Sequence, residues 1–310
     1  MERDLPVGPL VAFLLVVAVG LGVAVLASGA SGPSDPDGAT VDGQSPQQFQ
    51  PERVNPETDP ETGTIPVDGA ADGARILVDR RHDNVVSERS LEPVVEAAFE
   101  AGYTVDFTEE TFATYDRFDG TLTRYDGILV VQPTSGFAPD ERDVFEEYLE
   151  SGGRVVVLAE PRQLRTNADG SVEEVPFGAS RFVGEYGIGV GSGVLYAAAD
   201  VPNDNNFKSV YAAPSDVGPL TEGVVTVDLD SAGYLVLRNG SEASVRYTAV
   251  DGTRSLDTRR QGTYPTVVRD GNLTVVSDAS FIERSEVYDA DNEVFVGNLL
   301  EYLAAGDPLE

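Results

Sequence analysis

The sequence contains no cysteine and only one lysine, Lys208, one histidine, His82, and one methionine. Without cysteine there is no disulfide, no thiolate metal site, no lipoprotein-type acylation and no cysteine nucleophile. Basic residues number 21 against 53 acids, and nowhere do they cluster into a patch. Phosphate backbones need such a patch, so no nucleic-acid partner is expected.

What the chain has instead is negative charge. Its formal net charge is −32 and its pI is near 4.1. In an ordinary medium that charge would set a compact state against itself. In molar salt the Debye length shrinks to about 3 Å and the repulsion is largely screened. Acids spread along the whole chain, with almost no lysine, therefore read as adaptation to a very salty medium, and a halophilic archaeon is the expected source. An acidic surface for a basic partner is the rival reading. Hydrophobic residues make up 41% of the 310, so a sizeable core can still be buried.

Residues 5–34 carry no charged side chain, and Val7 to Ala27 is an almost unbroken apolar run. A helix of that length matches the hydrocarbon thickness of a bilayer. A transmembrane helix over 6–28 is expected, with residues 1–5 cytoplasmic and the remainder outside the cell. Arg3 is the only basic residue near either end, and the positive-inside rule favours that orientation. A cleaved signal peptide, with Ala27 and Gly29 serving a peptidase, is the competing reading, but the apolar run exceeds the usual h-region. From 29 to 72 the composition turns to Gly, Pro, Ser, Asp and Gln, which predicts a disordered linker.

Residues 73–306 read as one α/β domain. Arg75–Asp79, Tyr103–Phe107, Gly127–Val131 and Arg154–Ala159 have the apolar runs of strands. Between them, Leu91, Val94, Val95, Ala98 and Phe99 share a helical face behind a Ser90 cap, and Pro139-Asp-Glu141 opens a second helix. This order predicts a doubly wound, mostly parallel sheet. A β-rich insertion over about 163–262 is read as its antiparallel extension, with one helix near 180–186. Asn239-Gly240 and Asp270-Gly271 each predict a hairpin, the first joining Leu235–Arg238 to Ala243–Tyr247. A final helix from about 292 to 305 buries Val296, Leu299, Leu300 and Leu303.

In open α/β sheets ligands bind beyond the carboxyl ends of the strands. That rule selects Asp79, His82 and Asn84 after the first strand, and Gln132 and Ser135 after the third. It also selects Glu160 and Arg162 after the fourth, and Asp278 and Ser280 after the last. They are candidates for one ligand crevice, with Asp79 or Asp278 orienting His82; the same residue types also cap turns. Gly187-Ile-Gly-Val-Gly-Ser-Gly193 has neither the spacing nor the lysine of a nucleotide loop and reads as a glycine-rich turn. Asp289-Ala-Asp-Asn-Glu293 lacks the glycine and distal Glu of a calcium loop and reads as a helix cap. No metal and no cofactor is expected. Asn239 and Asn272 head acceptor sequons for glycosylation.

Three stretches carry a family resemblance. They are Ile76-Leu-Val-Asp-Arg-Arg-His-Asp-Asn84; Tyr125-Asp-Gly-Ile-Leu-Val-Val131 with the later Gly-Gly-Arg-Val-Val-Val157; and Val275-Val-Ser-Asp-Ala-Ser-Phe-Ile282. Together they resemble the haloarchaeal membrane proteins grouped as domain of unknown function 4350, which look like a branch of the class I glutamine amidotransferase-like superfamily. Similar domains occur in auxiliary subunits of gliding-motility-type ABC transporters and in an intraflagellar-transport protein. The resemblance implies an amidotransferase-like, flavodoxin-like fold. True amidotransferases place a cysteine on a tight turn after a central strand and a His-Glu pair later. Here the corresponding strand runs into Glu160-Pro161-Arg162, and no histidine lies in the C-terminal half. The fold is implied without the reaction.

Members of that family often look like accessory components encoded beside MoxR-type ATPases or transport systems, so the resemblance implies a partner in a membrane assembly. The expected function is therefore a non-catalytic, membrane-anchored domain that binds a membrane-protein partner or small ligand at the cell surface. A hydrolase or transferase using the His82 region, and a structural surface spacer, are the alternatives.

Overall fold

The computed structural model describes residues 61–68, 73–108, 122–161, 163–166, 169–198, 201–204 and 206–307. The span predicted over 6–28 and most of the predicted linker lie outside them. Among the described residues no helix is long and apolar enough to cross a membrane.

The chain opens with β1 (Arg75–Asp79), α1 (Glu92–Glu100), β2 (Thr104–Phe107), β3 (Gly127–Val131), α2 (Pro139–Glu150) and β4 (Arg154–Leu158). Short elements follow: β5 (Gln163–Thr166), β6 (Val172–Val175), α3 (Ser180–Glu185), β7 (Ile188–Val190) and β8 (Leu195–Tyr196). Then come β9 (Ser209–Pro214), β10 (Val227–Asp230), β11 (Leu235–Leu237), β12 (Ser244–Ala249), β13 (Arg254–Ser255), β14 (Pro265–Asp270), β15 (Leu273–Val276) and α4 (Asn292–Ala304).

Nine strands form one sheet in the order β10-β9-β12-β14-β15-β4-β3-β1-β2. From β15 to β2 every pairing is parallel, and from β10 to β15 every pairing is antiparallel. The fold is mixed α/β, a parallel block continued by an antiparallel arm. Strand residues alternate between two cores. Ile76, Val78, Leu129, Val156 and Val276 pack with α1 and α4 on one face. Leu77, Ile128, Val130, Val155 and Val275 pack with α2 and α3 on the other. That period of two is what a sheet covered on both faces requires. Within the parallel block the order is β2-β1-β3-β4-β15, so the winding direction reverses between β1 and β3, where such sheets hold ligands.

Several expectations are corrected. Phe99 is 78% exposed, because the buried arc of α1 runs through Leu91, Pro93, Val94, Ala97 and Ala98 and leaves Phe99 on the far side. Ser90 does not cap α1; Ser87 Oγ accepts the Ser90 amide at 3.1 Å instead. Asn239-Gly240 does turn the chain, with Gly240 at φ +86, but its flanking strands part company. β11 pairs with β7, and β12 pairs with β9 and β14, so the predicted hairpin is absent. The Asp270-Gly271 hairpin is present, with Asp270 facing Leu273. Within 163–262, only β9, β10 and β12 extend the main sheet; the remaining strands form three two-stranded ribbons. In the stretch read as a glycine-rich turn, residues 188–190 are β7. Gly191 sits where a β-carbon would lie 2.5 Å from the Tyr234 ring. Asp291 caps no helix amide of its own, and its carboxylate accepts the amides of Val225 and Thr226 at 2.8 and 2.9 Å.

The predicted linker also ends early. Ile65 is buried, and the Asp68 amide donates to Glu301 on α4 at 2.7 Å. Gly297 lies directly under the Pro66 carbonyl, where any β-carbon would overlap the oxygen. Residues 61–68 are therefore a strap across α4.

Candidate functional site

The carboxyl end of β1, between β2 and β3, carries Asp79, which is fully buried. The chain then turns through Asp83, in the left-handed region at φ +48, a conformation short polar residues tolerate. This turn carries His82 back over the strand end. Its Nδ1 lies 2.7 Å from Asp79 Oδ2. Its Nε2 faces Glu141 Oε2 at 3.6 Å. Its ring stacks on Phe137, centroids 3.7 Å apart and planes 10° from parallel. Only 3% of His82 remains exposed.

Neighbouring groups lock the loop. Asn84 Oδ1 accepts the His82 amide at 3.1 Å, and Asn84 Nδ2 donates to the Val131 carbonyl at 2.7 Å. The amides of Thr134 and Ser135 both donate to the His82 carbonyl, at 2.8 and 2.9 Å. Gln132, at φ +44, turns the chain after β3, and its carbonyl accepts the Val85 amide at 3.3 Å. Glu141 Oε2 also takes the Ala138 amide at 2.6 Å, closing the first turn of α2. Arg81 stands 3.9 Å from the other Glu141 oxygen.

Burial alone would push the His82 pKa down. The hydrogen bond to Asp79 and the nearby Glu141 carboxylate, with their charges, outweigh it and raise the pKa to about 9. Burial would raise Glu141, but His82 and the Ala138 amide hold it below the usual carboxylate range. At neutral pH the ring is thus an imidazolium with a carboxylate at each nitrogen. A cation over the face of Phe137 is favourable as well. Such a ring cannot accept a proton. The hydroxyls that a hydrolase would use are directed elsewhere: Ser135 Oγ donates to the Asp83 carboxylate, and Ser280 Oγ to both Asp278 oxygens at 3.1 Å.

The remaining candidates form a separate group. β4 and β15 are parallel neighbours in which Leu158 faces Val276. Two residues further on, Glu160 and Asp278 leave adjacent strand ends. Burial, then Asp278, Asp230 and Glu283, push the Glu160 carboxyl up. Burial also pushes up Asp278, against donors from Ser280 and the Phe281 amide. Ionisation of either carboxyl is therefore unfavourable there. Asp79, not Asp278, orients His82. β3 and β4 put about 10 Å between the groups, two strand spacings. The predicted crevice residues therefore fall into two clusters. Arg162 lies outside the described residues.

Glu141 and Phe137 were not among the predicted site residues, and nothing local in the sequence separates Glu141 from an ordinary first-turn acid. A third acidic group was also missed. Asp204, Asp228 and Asp289 bring carboxylate oxygens within 4.8 Å of one another. Burial lifts Asp228 to about 6 and Asp289 to about 7, the latter helped by Glu286. Of the sequons, Asn239 is exposed, while Asn272 Nδ2 donates to the Leu149 carbonyl at 3.1 Å.

The chain matches no protein-family model. It also matches no curated protein. Among solved structures it is similar to the mmIFT52 N-terminal domain, at 14% identity and TM-score 0.57, over 76% of this chain and 100% of that one. ThuA-like proteins from Bacteroides uniformis and Parabacteroides merdae are each 15% identical over 76% of this chain. They match over 94% and 90% of their own lengths, with TM-scores of 0.44 and 0.46. At such identities the first of these likenesses shows the fold alone.

Proposed function

We propose that this chain is a non-catalytic, membrane-anchored α/β domain of a halophilic archaeon, of the domain-of-unknown-function 4350 type and amidotransferase-like in fold. On this reading the helix over 6–28 anchors it and the domain stands outside the cell. Its role is to bind a membrane-protein partner as an accessory component of a membrane or transport assembly. The observation that carries the reading is the state of His82. The chain's sole imidazole, with no cysteine to serve in its place, is spent on holding the β1 loop against α2.

The hydrolase alternative has one observation in its favour, the 2.7 Å contact between Asp79 and His82, which is two-thirds of a catalytic triad. It requires a neutral ring and a nucleophile, and both are disfavoured by the contacts above.

The test is crosslinking in intact cells, then capture of the full chain from detergent-solubilised membranes in molar salt. The accessory reading expects one membrane protein recovered in constant ratio by the wild-type chain and by a His82→Gln variant that still folds. Turnover of an ester or amide substrate that vanishes in His82→Gln would establish the enzyme instead. Recovery of no consistent partner would establish the spacer.

A further inference from the structure

In a chain of charge −32, three arginines meet around one hollow on the α2–α3 face of the sheet. The hollow measures about 410 Å³ and is lined by Arg142, Ser180, Arg181, Gly184, Glu185 and Arg238. A second hollow of about 400 Å³ adjoins it, sharing Gly184, Glu185 and Arg238 and carrying the acids Glu242 and Asp270, so the anion-binding face is the first. Volumes of this size suit small ligands.

The fold builds this arrangement deliberately. α3 buries Phe182 against Phe137 and Phe145, ring centroids 5.3 Å away in each case, so Arg181 is turned outward. Pairing of β11 with β7, rather than with β12, brings Arg238 to the end of α3, its amide donating to the Gly187 carbonyl at 2.9 Å. Arg238's guanidinium then lies beside Gly184, 3.7 Å from where a β-carbon would stand. Arg142 is the inner wall. Its Nε donates to Glu185 Oε1 at 2.7 Å and its NH1 to the Phe137 carbonyl at 3.0 Å. That pair neutralises the one carboxylate of the hollow. Arg181 and Arg238 make no side-chain hydrogen bond or ion pair among the described residues, although acids outnumber bases by more than two to one in this chain.

We infer that Arg181 and Arg238, backed by Arg142, form a binding site for the oxyanion group, phosphate or carboxylate, of a small ligand. Guanidinium forks match both groups in bidentate geometry, and an arginine keeps its charge at any working pH. In molar salt long-range attraction is screened to a few ångströms, so only direct contacts of this kind select an anion. The site shares no lining residue with the His82 cluster, although Arg142 bonds the Phe137 carbonyl, and it does not depend on the chain having a protein partner.

The test is calorimetric titration of the full chain in detergent micelles and molar KCl, with inorganic phosphate in one arm and citrate in the other. Saturable binding is expected in at least one arm, and which arm responds identifies the oxyanion. Arg181→Gln with Arg238→Gln weakens it by about tenfold or more, as loss of charge-assisted hydrogen bonds requires. Both side chains are exposed, so circular dichroism of the double variant stays that of the wild type. Arg254→Gln with Arg259→Gln removes the same charge from the turn at β13 and leaves binding within about twofold. Absence of saturation in both arms overturns the inference. So does an equal loss in the two double variants, which would make the effect one of net charge.

Discussion

His82 and Phe137 lie face to face, 3.7 Å between ring centroids and 10° from parallel, one from the loop after β1 and the other from the entry to α2. With Asp79 on one ring nitrogen and Glu141 facing the other, this contact makes the imidazole a rivet between the loop after β1 and the start of α2. Its consequences are measurable.

Removal of the rivet leaves the buried Asp79 carboxyl without its imidazole partner. Breaking a buried pair by deleting one partner costs about 3–5 kcal/mol. Thermal or chemical unfolding of His82→Ala at pH 6 in molar KCl shows a loss in that range. A double variant, His82→Ala with Asp79→Asn, recovers part of it.

Stability also depends on pH through this ring. The folded pKa, about 9, is above the unfolded value near 6.5. The contribution is fully present below about pH 6.5 and is lost as pH rises through about 9. His82 contributes on the order of 3 kcal/mol to the fall in unfolding free energy across that window, so the fall in a His82→Gln variant is smaller by about that amount, the remainder belonging to the raised carboxyls of Glu160 and Asp278.

At the ends of β4 and β15 the linkage has another origin. The folded carboxyls of Glu160 and Asp278 titrate above their unfolded values, so ionisation works against the fold as pH climbs from the ordinary carboxylate range near 4. Glu160→Gln relieves that repulsion. Its melting temperature exceeds the wild-type value at pH 7 and matches it at pH 4.

The strap of residues 61–68 depends on one missing side chain. Gly297→Ala sets a β-carbon into the Pro66 carbonyl and lifts Ile65 from its contact with the core. Limited proteolysis then cuts within 61–68, while hydrogen exchange in β3 and β4 stays slow. Release of one Ile side chain corresponds to about 1.5–3 kcal/mol.

Much of this architecture was legible in the sequence. The runs at Ile76–Val78, Ile128–Val131 and Val155–Leu158 are apolar on both faces because helices cover both faces, and Asp270-Gly271 joins the strands it flanks. Asp79, His82 and Asn84 could be chosen because strand ends carry ligand loops. Other features depend on contacts no local pattern encodes. Asn239-Gly240 marks a turn, but which strands stay paired beyond it was decided by β7, some fifty residues earlier. Glu141 looks like any helix-opening acid until the fold sets His82 before it. Asp204, Asp228 and Asp289 come from three separate segments and meet only once β10 has joined the arm.

The most direct test uses the chain's single histidine. In the full chain in molar KCl, the ring resonances of only one imidazole exist to be followed by NMR. A titration midpoint near 9 is the result expected of a ring held as imidazolium between Asp79 and Glu141, unable to act as a base at neutral pH. A midpoint at or below 6.5 would leave the ring neutral and available to catalysis, and would contradict the non-catalytic account.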